Sequence, residues 1–133
     1  PTRRGGPPFG TTWVRPEGMQ AASLVAALKP LLPPAPTGAP GPFALSEETA
    51  LRSFVERAGL RAQDVFDVDS PWSYPDLATA LRGLKSAGAA VRALEHSGEE
   101  AVDAAHAAAL APFRQKDDSF RIGATFRCLV ARS

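Results

Sequence analysis

The sequence holds two histidines, His96 and His106, and a single cysteine, Cys128, so it is poor in side chains that act as base, nucleophile or metal ligand. Two imidazoles and one thiol make no zinc ligand set, and one cysteine excludes an internal disulfide. Neither histidine has a cysteine, serine or carboxylate at a spacing that pairs a nucleophile with its base. His96 stands just ahead of a helix-cap signal and is a candidate general base for activating a hydroxyl or carbon acceptor, with an ordinary surface position as the alternative. His106 falls on one helical stripe with Val102, Ala109 and Phe113 and reads as a buried structural residue. Cys128 lies on the apolar side of a strand pattern, where a thiol behaves as a small hydrophobe. No catalytic residue and no metal ligand is assigned.

Binding side chains are better represented. Trp72 and Tyr74 flank the turn SPWSYP between a strand and a helix, the kind of connection in which a rigid scaffold carries binding groups. Their rings form one wall of a small-molecule pocket or, on the alternative reading, staple the following helices to the sheet. Arg82 and Arg92 lie in a helical block and suit an anionic substrate group, although helical charges commonly serve as a solvated face. Trp13 ends a short strand, where it binds ligand or covers the nearby proline-rich segment.

The elements that must position these residues follow from pattern. Residues 1–10, PTRRGGPPFG, are too rich in Gly and Pro for regular structure, and Thr11 to Val14 form a short strand. Pro16 and Glu17 open a helix with apolar residues Ala21, Leu24, Val25 and Leu28, which Pro30 stops. Residues 30–42, PLLPPAPTGAPGP, are an extended connection, since proline neither donates to a ladder nor continues a helix. Ser46 caps a helix with face Leu51, Phe54, Val55 and Ala58, and Gly59 ends it. Asp64 to Asp69 is a strand, and a helical block fills residues 75 to 113. Within that block Gly88 breaks the first helix, and Ser97 with Glu100 makes a capping box that opens the third. The ending SFRIGATFRCLVA alternates, with Phe120, Ile122, Ala124, Phe126, Cys128 and Val130 on one face, and reads as one continuous strand.

Composition limits the functions available. The 133 residues predict one domain, and 44% apolar with 22% charged residues is ordinary for a globular chain. Fifteen basic against 14 acidic residues leave a net charge of +1, which argues against nucleic acid as partner because phosphate binding needs a clustered basic surface. No apolar run approaches the ~20 residues that span a bilayer, so neither membrane insertion nor secretion is expected, and a cytoplasmic location follows.

From about Arg3 to Ala131 the chain resembles the last part of small-molecule class I, S-adenosylmethionine-dependent methyltransferases of the ubiquinone and menaquinone type. RRGG with TTWVRPE is similar to the turn and fifth strand of that fold. FALSEETALRSFVERAGL resembles the helix leading to the sixth strand, DVFDVD that strand, and SFRIGATFRCLVA the antiparallel seventh. Residues 70–114 are similar to the helical insertion that caps the substrate side. The resemblance implies an α/β fold, a partial Rossmann-like methyltransferase domain with a short mixed or antiparallel sheet and four or five helices. It also turns Trp13 toward the methyl-transfer cleft and makes Trp13, Trp72, Tyr74, Arg82 and His96 the substrate-binding candidates.

The family's cofactor is S-adenosylmethionine, held by a glycine-rich turn and an acidic ribose ligand. No G-x-G-x-x-G occurs in this sequence, and PPFG stands where an apolar fifth strand is expected. The expectation is therefore a substrate-cap portion that lacks the cofactor-binding half, binds no cofactor alone and is either a fragment or a truncated relative. The competing reading is a non-enzymatic ligand-binding or assembly module. Missing strands would leave a sheet edge or face uncovered, from which a homo-oligomer is expected.

Overall fold

The computed structural model describes residues 6–132. Its strands are β1 (Phe9–Trp13), β2 (Arg61–Asp69), β3 (Trp72–Tyr74), β4 (Phe120–Ile122) and β5 (Thr125–Arg132). Its helices are α1 (Ala22–Ala27), α2 (Glu48–Arg57), α3 (Leu77–Lys85), α4 (Gly88–Ser97) and α5 (Glu99–Leu110), with short 3-10 turns at Pro16–Gly18, Lys29–Leu31 and Ala111–Phe113. Among the described residues the fold is mixed α/β, with five α-helices and two small antiparallel sheets. The backbone falls into two compact units. The first takes the described residues up to Met19, with Pro40–Ser70 and those from Thr125; the second takes Gln20–Ala39 and Pro71–Ala124.

The first unit is built on a three-stranded sheet of order β1-β5-β2. Both outer strands are antiparallel to β5, so β1 and β2 point the same way. Thr11, Cys128 and Phe66 lie in one row across the sheet, and Trp13, Phe126 and Val68 in the next. The strand starts earlier than its sequence suggests, at Phe9 and Gly10, inside the stretch 1–10 expected to be irregular, of which residues 1–5 lie outside the described residues. Pro8 has no amide to donate, but its carbonyl accepts from Ala131 N at 3.0 Å, so the proline costs the ladder only one of its bonds.

The other face of the sheet carries the core of this unit. Leu129 and Ala131 on β5 pack with Leu51 of α2, and Val55, Leu60, Ala62 and Val65 close around them. Leu51 and Val55 join α2 to the sheet, but Phe54 and Ala58, expected on the same face, are exposed because the core does not reach them. Ser46 is not its cap: the N-cap is Glu47, which makes no side-chain cap bond. Ser46 is instead buried, and its carbonyl accepts from Arg127 Nη1 at 2.8 Å. Gly59 follows the helix at φ 80°, the left-handed conformation that glycine adopts without a Cβ clash.

The alternating C-terminal segment is two strands in two sheets, and it does not present a single apolar face. The reason lies at Gly123. Its amide donates to Gln20 Oε1 at 2.8 Å and its carbonyl accepts from Ala21 N at 2.9 Å, so its backbone groups leave the ladder. Beyond it, β5 is a central strand and buries neighbours on opposite faces, Cys128 and Leu129 alike.

The second unit packs α1, α3, α4 and α5 with the ribbon β3-β4. Its core joins Leu28, Ala90, Ala93 and Val102, with Leu31, Leu32 and Leu94 packed on it. The alanines of α4 carry almost no side chain, which lets the helices approach closely. Asp76 caps α3, accepting from Thr79 N at 2.7 Å.

Two other cap signals are corrected. Ser97 is the last residue of α4, and its hydroxyl donates to the Leu31 carbonyl at 2.8 Å. Gly98, at φ 85°, turns the chain directly into α5, so no capping box forms. The break expected at Gly88 falls just before it, at Ser86 and Ala87, and Gly88 begins α4. Pro16 opens only a 3-10 turn, and α1 starts at Ala22.

Candidate functional site

In the first unit a cavity of about 540 Å³ opens where β1 and β2 end, lined by Val14, Arg15, Glu17, Asp67, Thr125 and Arg127. Asp67 and Arg127 are directly opposite one another on adjacent strands, which brings their side chains together. The guanidinium donates from Nε to Oδ1 at 2.8 Å and from Nη2 to Oδ2 at 3.0 Å. That fork holds the Asp67 carboxyl below the usual carboxylate range and raises the already high value of Arg127.

Around it, Arg15 pairs with Glu47 at 2.9 Å and Thr125 Oγ1 donates to Asp69 Oδ1 at 2.9 Å. Apart from Glu17, the charges that border this cavity are thus matched, an arrangement that orients a polar ligand. Trp13 stands one residue away, its ring stacked on Phe126 at a centroid distance of 4.8 Å.

In the second unit a larger cavity, about 720 Å³, lies beside the β3-β4 ribbon. Its lining includes Ser73, Tyr74, Pro75, Lys116, Phe120 and Arg121. The segment expected as a plain turn forms β3, which pairs Trp72 with Ile122, Ser73 with Arg121 and Tyr74 with Phe120. Alternation then puts Ser73 and Arg121 on one face and the rings on the other.

Tyr74 packs on α3 at Gly83, where a Cβ would stand 2.9 Å from the ring. This helix-interior glycine is therefore the socket for Tyr74, and a glycine inside a helical pattern was the available signal. Burial pushes the Tyr74 hydroxyl above its ordinary value, so it remains a neutral donor near neutral pH.

The other candidates do not converge there. Trp72 is half-buried opposite Ile122; Arg82 and Arg92 are exposed on α3 and α4. His96 is exposed, with Nδ1 3.2 Å from Ser97 Oγ. Trp13 belongs to the first unit and these four to the second. Lys116, Arg121 and Ser73 were missed by sequence reasoning, because QKDDS reads as a charged turn and only strand pairing brings it to Tyr74.

A separate charged cluster joins α3 to α5 at the surface. Lys85 bridges Glu99 and Asp103, and the neighbouring His106 is 2% exposed with Nδ1 lacking a hydrogen-bond partner among the described residues. Desolvation lowers the His106 value, while Asp103 pulls the other way. Among the described residues no group of three or more His, Cys, Asp or Glu side chains is placed to hold a metal ion, and no helix is long and apolar enough to cross a membrane.

β1 and β2 are followed by Val14-Arg15-Pro16 and Ser70-Pro71. Neither connection is a glycine-rich turn with amides free to cradle a nucleoside cofactor. No protein-family model matches the chain, and no curated protein matches it.

Proposed function

We propose that this chain is the substrate-side portion of a small-molecule class I methyltransferase, in which it helps position an acceptor for transfer of a methyl group to oxygen, nitrogen or carbon. The observation that carries this reading is the sheet. The strand likened to the family's antiparallel seventh, β5, is antiparallel to both neighbours, and these are the strands likened to the fifth and sixth. The helices α3, α4 and α5 fall within the segment likened to the substrate-side insertion.

S-adenosylmethionine supplies the methyl group in that class, but the connections after β1 and β2 do not fit it, so no residue here is assigned to it. Isothermal titration tests the reading: the whole natural polypeptide, whatever its length, is expected to bind S-adenosylmethionine saturably, and this chain alone is not. A whole polypeptide that binds no cofactor contradicts it.

A second reading, a non-enzymatic ligand-binding or assembly module, is favoured by one observation. Phe9, Phe66 and Val68 are 58%, 40% and 44% exposed on the sheet face opposite α2, and Phe9 and Phe66 have ring centroids 6.5 Å apart. Apolar surface of this kind is normally covered by association, and a homo-oligomer remains the proposed arrangement.

A further inference from the structure

We infer that the cavity beside β3 and β4 is a binding site for a small anionic ligand, a carboxylate or phosphate carried on a flat apolar body. The inference rests on this cavity alone and does not depend on the methyltransferase reading.

The loop between Arg114 and Phe120 is tied to itself. Gln115 N donates to the Ser119 carbonyl at 2.8 Å and Asp118 N to the Gln115 carbonyl at 3.1 Å, with Asp118 in the left-handed region at φ 65°. Of the two acids of the loop, Asp118 is matched by a cation, whereas Asp117 lines the cavity as an ionised carboxylate whose Oδ1 is held by its own loop, so the two cations there outnumber it. Asp117 Oδ1 accepts from the amide and hydroxyl of Ser119, which lowers the Asp117 value, and Asp118 pairs with Arg114 at 2.6 Å.

What remains is donor-rich. The side chains of Lys116 and Arg121 border the cavity with no ion-pair or hydrogen-bond partner among the described residues, unlike that of Arg114 beside them. Ser73 stands opposite Arg121 in register and adds a hydroxyl.

Tyr74, Pro75 and Phe120 supply apolar walls, and a volume of about 720 Å³ lies within the roughly 300–1,000 Å³ of small-molecule sites. A guanidinium fork with a nearby ammonium recognises carboxylate or phosphate oxygens, which accept and do not donate. A neutral ligand of the same shape leaves both cations unmatched.

The probes are benzoate, phenyl phosphate and the neutral benzamide, titrated into the full chain and followed by amide chemical shifts of residues 73–75 and 115–121. At least one of the two anions is expected to bind, with affinity that falls as salt is raised, and benzamide to bind at least about tenfold more weakly. The preferred anion tells a carboxylate site from a phosphate site. Lys116→Ala and Arg121→Ala are each expected to weaken that anion about tenfold, and Arg121→Lys to recover part of the loss. Binding of benzamide as tight as that of both anions overturns the inference, as does absence of binding by either anion. The comparison of probes on the unaltered protein keeps the test valid if a variant folds poorly.

Discussion

The two units solve the same problem, burying apolar surface with few large side chains, in different ways. The first lays one helix on one face of a three-stranded sheet and leaves Phe9, Phe66 and Val68 exposed on the other. Its main charged pair, Asp67 with Arg127, is a cross-strand fork. The second packs alanine-rich helices, seals His106 inside them and keeps Lys116 and Arg121 unmatched at a cavity. Matched charges and bare apolar surface suit assembly; unmatched charges beside a cavity suit a polar ligand.

The largest effect that would break this comparison is loss of a core. Leu129→Ala removes a side chain that is 2% exposed at the centre of the helix-sheet contact and is expected to cost about 2–5 kcal/mol, measured by urea unfolding. A loss under about 1 kcal/mol would show that α2 does not hold the first unit together.

Acid separates the units by pH window. The folded value of His106 lies below its ordinary 6.5, so the unfolded chain binds the proton more readily, and the contribution of the neutral ring is present above about pH 6.5 and lost as pH falls below it. Asp67, also lowered, contributes stability above its ordinary 3.8 that is lost only as pH falls below that value. Hydrogen exchange is therefore expected to quicken first in α5 and only at lower pH in β2 and β5, after correction for intrinsic rates. Simultaneous loss of protection in both would contradict the distinction, and His106→Gln should remove the earlier step.

A smaller effect is expected at Gly83. Gly83→Ala drives a methyl group against the Tyr74 ring, and the strain, of order 1–3 kcal/mol, is offset in part by about 1 kcal/mol of helix propensity. Tyr74 ring resonances should shift, whereas Gly88→Ala, with open space around the new Cβ, leaves them in place. Smallest in stability is Phe66→Ser at an exposed position, expected to change unfolding by under about 0.5 kcal/mol. Light scattering should show an oligomer for the unaltered chain and a lower mass for the variant, and equal masses would remove the sheet face as the association surface.

These contrasts were legible in the sequence to different degrees. Leu51 and Val55 of the α2 stripe and the left-handed Gly59 follow from local spacing, whereas Phe54, at the same helical spacing, is 52% exposed because only part of that face meets the core. The break at Gly123 was hidden, since strict alternation continues through it and the competing bonds come from Gln20 and Ala21, about a hundred residues away in the chain.

The backbone carbonyl of Ser46 is held by Arg127 and the Ser97 hydroxyl by the Leu31 carbonyl, partners no local rule supplies. Tyr74 was readable as a binding aromatic on a short connection. Its cationic neighbours were not, because Lys116 and Arg121 reach the same cavity only through the pairing of β3 with β4.

The proposed role is tested most directly by methyl transfer. Tritiated S-adenosylmethionine would be incubated with small hydroxyl, amine and carbon acceptors in the presence of either the whole natural polypeptide or this chain alone. Label is predicted in an acceptor with the whole polypeptide and none with the chain by itself. Transfer by the isolated chain, or no transfer to any acceptor by the whole polypeptide, would contradict the account.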